Sequence, residues 1–201
     1  MCVSGLCHAQ NTTKTALPVI LVLGDSLSAE YGLKRGTGWV ALMEQRIKTE
    51  KIPASVVNAS ISGDTTSGGR SRLAALLKQH QPKLVIIELG GNDALRGLPL
   101  QSTADNLTAM VQMAKTQKAK VLLVGMQVPP NYGQQYTQDF SKTFQDVART
   151  QKVALVPFFL KGIADVPDAA QWFQNDRIHP TEAAQPKMLN NVWRPVKKEL
   201  K

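Results

Sequence analysis

The sequence predicts a three-layer α/β fold, a five-stranded parallel sheet with helices on both faces. Two observations carry this: five short apolar runs recur along the chain, and between them apolar residues return at helical spacing. A parallel pair needs a crossover connection, and its helix covers one face of the sheet, so this alternation closes on a sheet buried from both sides. A third observation bounds the unit. Beyond the first sixteen residues there is no composition break, low-complexity tract or repeat, so residues 17–201 are expected to form a single domain.

Val19-Ile20-Leu21-Val22-Leu23 is a continuous apolar run ending at Gly24, the pattern of a strand covered on both faces. Trp39, Leu42, Met43 and Ile47 then mark a helix. Ser55-Val56-Val57 reads as a second strand, followed by a helix through Leu73, Leu76 and Leu77. That helix ends near Gln81-Pro82, because proline disfavours helical backbone in the residue before it. Leu84-Val85-Ile86-Ile87-Glu88-Leu89 is a third strand, stopped by Gly90-Gly91. Leu107, Met110, Val111 and Ala114 give a helix, and Val121-Leu122-Leu123-Val124 a fourth strand. Phe140, Phe144, Val147 and Ala148 mark the next helix and Ala154-Leu155-Val156 the fifth strand. A terminal helix runs through Leu189, Val192, Trp193 and Val196, with a break or kink expected at Pro195.

With 43% hydrophobic and 19% charged residues and no apolar run near 20 residues, the composition is that of a soluble globular protein with no transmembrane segment. The net charge of +9 raises nucleic acid or an anionic membrane as a partner. The cations are scattered, however, with no run longer than Lys197-Lys198, and a nucleic-acid footprint is clustered, so no nucleic-acid partner is expected. A monomer is the default. Cys2 and Cys7 both precede the first strand, which speaks against a structural disulfide or metal site. Residues 1–16 read as a residual leader or disordered tail. Val3 to Ala9 are weakly apolar and end in Cys7-His8-Ala9, like the tail of a secretory signal, so a periplasmic or secreted location is expected, with a cytoplasmic one as alternative.

In a parallel α/β sheet, ligands bind at the carboxyl ends of the strands, and the informative residues follow the strands. Gly24-Asp25-Ser26-Leu27-Ser28 places a serine hydroxyl where the first strand turns toward a helix; taken alone, a turn or a helix cap explains it equally well. Asp176-Arg177-Ile178-His179-Pro180 spaces a carboxylate and an imidazole three residues apart. In a turn the carboxylate can hold one ring nitrogen, leaving the other to take a proton from a hydroxyl, and a hydroxyl needs such a base to act as a nucleophile at neutral pH. A capping interaction is the competing explanation. His8 lies in the tail and His80 at a helix end, where neither has a carboxylate beside it at this spacing. After the second strand comes Gly63, and after the third Gly90-Gly91-Asn92-Asp93. Glycine admits a backbone N–H close to a substrate and an asparagine amide can donate to an oxyanion; singly, each is equally a turn residue.

Together these residues resemble the SGNH (GDSL) hydrolase superfamily, whose four blocks are matched in order by Gly24-Asp25-Ser26-Leu27, by Gly63, by Gly90-Gly91-Asn92-Asp93, and by Asp176 through His179. More narrowly, the stretches from Asn58 to Thr65, from Leu76 to Pro82 and from Leu89 to Gly97 are similar to a bacterial periplasmic group. So are His179-Pro180 and Ala184-Gln185-Pro186. That group is described as multifunctional acyl-CoA thioesterase, arylesterase and lysophospholipase. The resemblance implies a flavodoxin-like SGNH fold and a serine hydrolase acting on small-molecule acyl esters and thioesters without a cofactor or metal. Ser26 would be the nucleophile, His179 the base and Asp176 its orienting acid. The backbone N–H groups of Ser26 and Gly63 and the amide of Asn92 would form the oxyanion hole. Asp93, Leu95 and Leu98 fall in a segment similar to the loop that lines the acyl pocket of the group, and residues 127–136 could form another wall. The alternatives are a carbohydrate deacetylase of the same superfamily and a non-catalytic flavodoxin-like module holding a phosphate or nucleotide. No Gly-x-Gly-x-x-Gly or phosphate-loop lysine motif supports the latter.

Overall fold

The structure is a computed structural model and describes residues 17–201. The expectations for Cys2, Cys7 and the leader lie outside the described residues.

The chain runs β1 (Val19–Gly24), α1 (Trp39–Thr49), β2 (Ser55–Asn58), α2 (Thr66–His80), β3 (Leu84–Glu88), α3 (Gly91–Leu95), α4 (Leu100–Thr116), β4 (Lys120–Val124), α5 (Gln134–Gln151), β5 (Ala154–Val156) and α6 (Gln185–Leu200). The strands form one sheet in the order β2-β1-β3-β4-β5, and every neighbouring pair is parallel. The expected three-layer α/β architecture is therefore observed.

The two-residue period of each strand divides the core. Ile20, Val22, Leu84 and Ile86 pack with Trp39, Met43, Val192 and Trp193 of α1 and α6. Leu21, Leu23, Val85 and Ile87 face the other way, onto Leu73, Leu107, Met110, Phe140 and Phe144 of α2, α4 and α5. These strand residues are almost wholly inaccessible, and each such aliphatic side chain contributes roughly 1.5–3 kcal/mol of burial. Trp39 meets the edge of Phe159 at 5.4 Å, and Phe140 that of Phe144 at 5.3 Å, both edge-to-face.

Two features differ from expectation. The terminal helix does not break at Pro195: α6 continues to Leu200, because Met188, Val192, Trp193 and Val196 anchor it to the sheet on both sides of the proline. Pro195 lacks the N–H that would bond the Asn191 carbonyl four residues back and sets its ring against that carbonyl, and the buried anchors on both sides offset this cost. Second, the segment after Gly90-Gly91 is not all loop. Gly90 adopts a left-handed φ of 117°, which turns the chain straight from β3 into α3, and Ala94 N–H bonds back to its carbonyl at 3.1 Å.

Strand order reverses direction between β1 and β3. The carboxyl ends of these two strands form the crevice where such folds place a ligand.

Candidate active site

Ser26 sits in the turn that leaves β1. Asp25 starts that turn: its carbonyl accepts from the Ala29 N–H at 2.9 Å, and its carboxylate Oδ1 from the Leu27 N–H at 3.0 Å. The chain is thereby bent sharply and the Ser26 side chain is turned toward the crevice. Gly24 has a steric reason. A Cβ there would lie 2.7 Å from Ser28 Oγ and 2.9 Å from Glu88 Oε2, two buried atoms already bonded to each other at 2.7 Å. Gly24→Ala is expected to cost about 1–3 kcal/mol through this overpacking, lowering Tm by roughly 5 °C for a chain of this size. Thermal unfolding followed by circular dichroism checks it.

The imidazole arrives from the far end of the chain. Residues 173–180 form a narrow hairpin, with Phe173 bridged to Pro180, and Gln174 N–H bonded to the His179 carbonyl at 2.8 Å. At its tip Asp176 Oδ1 accepts from the backbone N–H groups of Ile178 (2.9 Å) and His179 (3.0 Å), while Oδ2 meets His179 Nδ1 at 2.7 Å. His179 Nε2 lies 2.8 Å from Ser26 Oγ. The backbone N–H of His179, then that of Ile178, then the ring hold the Asp176 carboxyl down at about 2. It is therefore ionised wherever the ring needs an anionic partner. Arg177, between the pair, is exposed and takes a left-handed φ of 58°, the conformation that lets so short a turn close.

Gly63 and Asn92 come to the same edge from the loops after β2 and β3. Gly63 has a φ of 79°, and its carbonyl accepts from Arg96 at 2.8 Å. Arg72 braces the rest of that loop, bonding Asp64 at 2.9 Å and the Ala59 carbonyl. Among the described residues, neither the Ser26 nor the Gly63 backbone N–H donates to another protein group. Asn92, in the first turn of α3, donates its amide to Asp25 Oδ2 at 3.1 Å.

Leu95 and Leu98 are 47% and 36% exposed. Asp93 requires a correction. It does not face a pocket but is 1% exposed, with its oxygens taken by the Thr66 N–H (2.9 Å) and by the Thr66 and Thr103 hydroxyls. It ties the start of α2 to α3, because consecutive helical residues point about 100° apart and Asn92 already faces the crevice. The 127–136 stretch carries Tyr132 and Tyr136, stacked at 6.3 Å, with Tyr132 partly exposed.

Sequence reasoning missed three neighbours. Tyr31 lays its ring against His179 at 4.2 Å, and Gln174 bonds the carbonyls of Tyr31 (2.9 Å) and Pro180 (3.1 Å). Glu88, buried at the end of β3, lies against Asp25. The one available signal was Glu88 itself, a carboxylate closing an otherwise apolar strand.

A serine joined through histidine to a carboxylate at the carboxyl edge of a parallel sheet, without a Gly-x-Ser-x-Gly elbow, defines a serine hydrolase outside the ordinary α/β-hydrolases. The profile of the GDSL-like Lipase/Acylhydrolase family matches residues 22–185, and the chain belongs to that family. It is 51% identical over 182 residues to Esterase TesA of Pseudomonas aeruginosa, covering 90% of this chain and 89% of that one. It is 45% identical over 171 residues to Thioesterase 1/protease 1/lysophospholipase L1 of Escherichia coli K12, covering 85% and 79%. Among solved structures it is similar to a psychrotrophic esterase, EstA, from a Pseudoalteromonas species, inhibited by monoethylphosphonate. That match has a TM-score of 0.84 and 40% identity, over 90% of this chain and 98% of that one. The chain is thus an ester-cleaving hydrolase, and among the described residues no helix is long and apolar enough to cross a membrane.

Proposed function

We propose that the protein hydrolyses carboxylic esters and thioesters through an acyl-enzyme on Ser26, with aryl esters, acyl-CoA and lysophospholipids as substrate classes. The observation that carries this is the hydrogen-bonded series from Asp176 through His179 to Ser26. The named activities of its relatives support the substrate classes.

With Nδ1–H donated to Asp176, His179 Nε2 accepts the Ser26 proton as Oγ attacks the acyl carbon. The carbonyl oxygen becomes an oxyanion facing the N–H groups of Ser26 and Gly63 and the amide of Asn92. Collapse expels the alcohol, phenol or thiol, which takes its proton from His179. Water activated by the same nitrogen then frees the acid. A location outside the cytoplasm is proposed with this, on the leader-like sequence of residues 3–9.

The test is a series of p-nitrophenyl esters from acetyl to long acyl chains. Turnover that peaks at medium or long chains supports the reading; activity on acetate alone supports the deacetylase instead. Folded protein that neither turns over any ester nor takes up a phosphonate overturns it. Leu95→Ala and Leu98→Ala are each expected to move the optimum toward shorter chains by about two carbons, each lost methylene contact being worth ~0.8 kcal/mol. An unchanged chain-length profile removes this segment from the acyl pocket.

A further inference from the structure

We propose that Asp25 is a positioning residue whose buried carboxylate fixes the direction of the Asn92 amide through Oδ2, and that this oxygen, apart from the turn that Oδ1 closes, contributes to turnover only through Asn92. This rests on the reading of Asn92 as an oxyanion donor.

An asparagine side chain can rotate to present either its oxygen or its nitrogen, and only the nitrogen donates to an oxyanion. Nothing in Asn92 itself selects the useful orientation. Asp25 does: its Oδ2 lies 3.1 Å from Asn92 Nδ2, and an ionised carboxylate only accepts, so the amide oxygen is kept away. One N–H of Asn92 is spent on Asp25 and the second is left for substrate.

Asp25 is held from behind in turn. It is 2% exposed, with Oδ1 fixed by the Leu27 N–H at 3.0 Å. Beneath it Trp39 Nε1 donates to Ser28 Oγ at 3.1 Å, which leaves the Ser28 hydroxyl proton to point at Glu88 Oε2, 2.7 Å away. Glu88 is 3% exposed, and its burial, then the neighbouring Asp25, push its carboxyl well above the ordinary carboxylate range. Burial also raises Asp25, to about 6, against the pull of the Leu27 N–H and the Asn92 amide. The other titratable groups facing it are His179 from the hairpin and Asp64 from the loop after β2.

Below that value Asp25 takes up a proton. A proton on Oδ2 would face the Asn92 amide nitrogen as a second donor, and the amide loses the acceptor that orients it.

The experiment is a double-mutant cycle of Asp25→Asn and Asn92→Ala, measured as kcat and KM on p-nitrophenyl butyrate. Asp25→Asn is expected to lower kcat roughly ten- to a hundredfold in the wild-type background, part of the hundred- to thousandfold that one such donor is worth, with KM within about twofold. In the Asn92→Ala background the same substitution is expected to cost less than about twofold, since no amide remains to orient. Equal losses in both backgrounds would assign Asp25 a structural role and overturn the proposal, as would unchanged kcat in the single variant. If Asn92→Ala itself keeps wild-type kcat, the oxyanion reading fails first and the proposal with it.

A second measurement needs no variant at position 25 to fold. In the wild-type protein the side-chain amide resonance of Asn92, assigned by its loss in Asn92→Ala, should shift as pH falls from 7.5 to 5. A resonance that does not move over this range overturns the proposal.

Discussion

Ser26→Ala is expected to leave the protein folded and to lower ester turnover by about 10⁴-fold or more, with loss of all phosphonate labelling. The substitution removes one half-buried oxygen whose partner in the protein is His179 Nε2, and it leaves the Asp25 turn, the Gly63 loop and the core untouched. Any activity that remains would come from substrate binding and the oxyanion donors alone. Thermal unfolding run in parallel separates the chemical effect from a folding defect, and a variant with wild-type Tm and wild-type turnover would end the acyl-enzyme mechanism.

Asp176→Asn is expected to cost about 10³–10⁴-fold in kcat with little change in KM. The size follows from the way the carboxylate is used. Oδ1 accepts two backbone N–H groups and Oδ2 faces the ring, so all three contacts require acceptors. An asparagine that keeps its oxygen on the backbone must turn its NH2 toward His179 Nδ1. That forces the ring proton onto Nε2, where it faces Ser26 as a donor and cannot take the hydroxyl proton. The opposite amide orientation breaks the tip of the hairpin. Because the folded Asp176 sits near 2, below its ordinary value, the stability it contributes is fully present above about pH 4. That stability is lost only as pH falls toward 2. A fall in activity between pH 7 and 5 therefore has another source, and Asp25, raised to about 6, titrates inside that window. The pH profile of kcat for the wild type and Asp176→Asn checks both statements.

The sheet was readable in the sequence because the inner strands β1, β3 and β4 are buried on both faces and so appear as unbroken apolar runs, while the partly buried edge strands β2 and β5 showed as short ones, with bounds that differ by about one residue from those observed. Ser26, Asp176 and His179 were readable for a related reason. Each lies in a short polar segment placed after a strand or in a compact turn, and the roles proposed for them follow from residue type. The short helix α3 was not, since five residues are too few to show a 3.6-residue period. Asp93 was assigned to the wrong side because chain adjacency to Asn92 says nothing of direction within a helical turn. Tyr31, Gln174 and Glu88 escaped because their contacts with His179, Pro180 and Asp25 depend on segments that meet only in the folded chain. Asp25 was in view throughout, as the middle letter of Gly-Asp-Ser, but as a turn former. Its carboxylate has two oxygens, and the sequence accounts for the one on the Leu27 N–H but not for the one on Asn92.

The bond between Ser26 and His179 joins residues 153 positions apart, and the hairpin that carries the imidazole is fastened to the Tyr31 carbonyl through Gln174 and, through Phe173, packs against the core. Closing so long a loop is entropically unfavourable until the intervening layers are in place to hold its ends together. A chain holding only the first four strands would possess the serine and both loops proposed to hold the oxyanion, yet no base. On the proposed mechanism an ester assay therefore reports a chain whose C-terminal hairpin is in place, and a fragment ending before residue 173 is expected to be inactive.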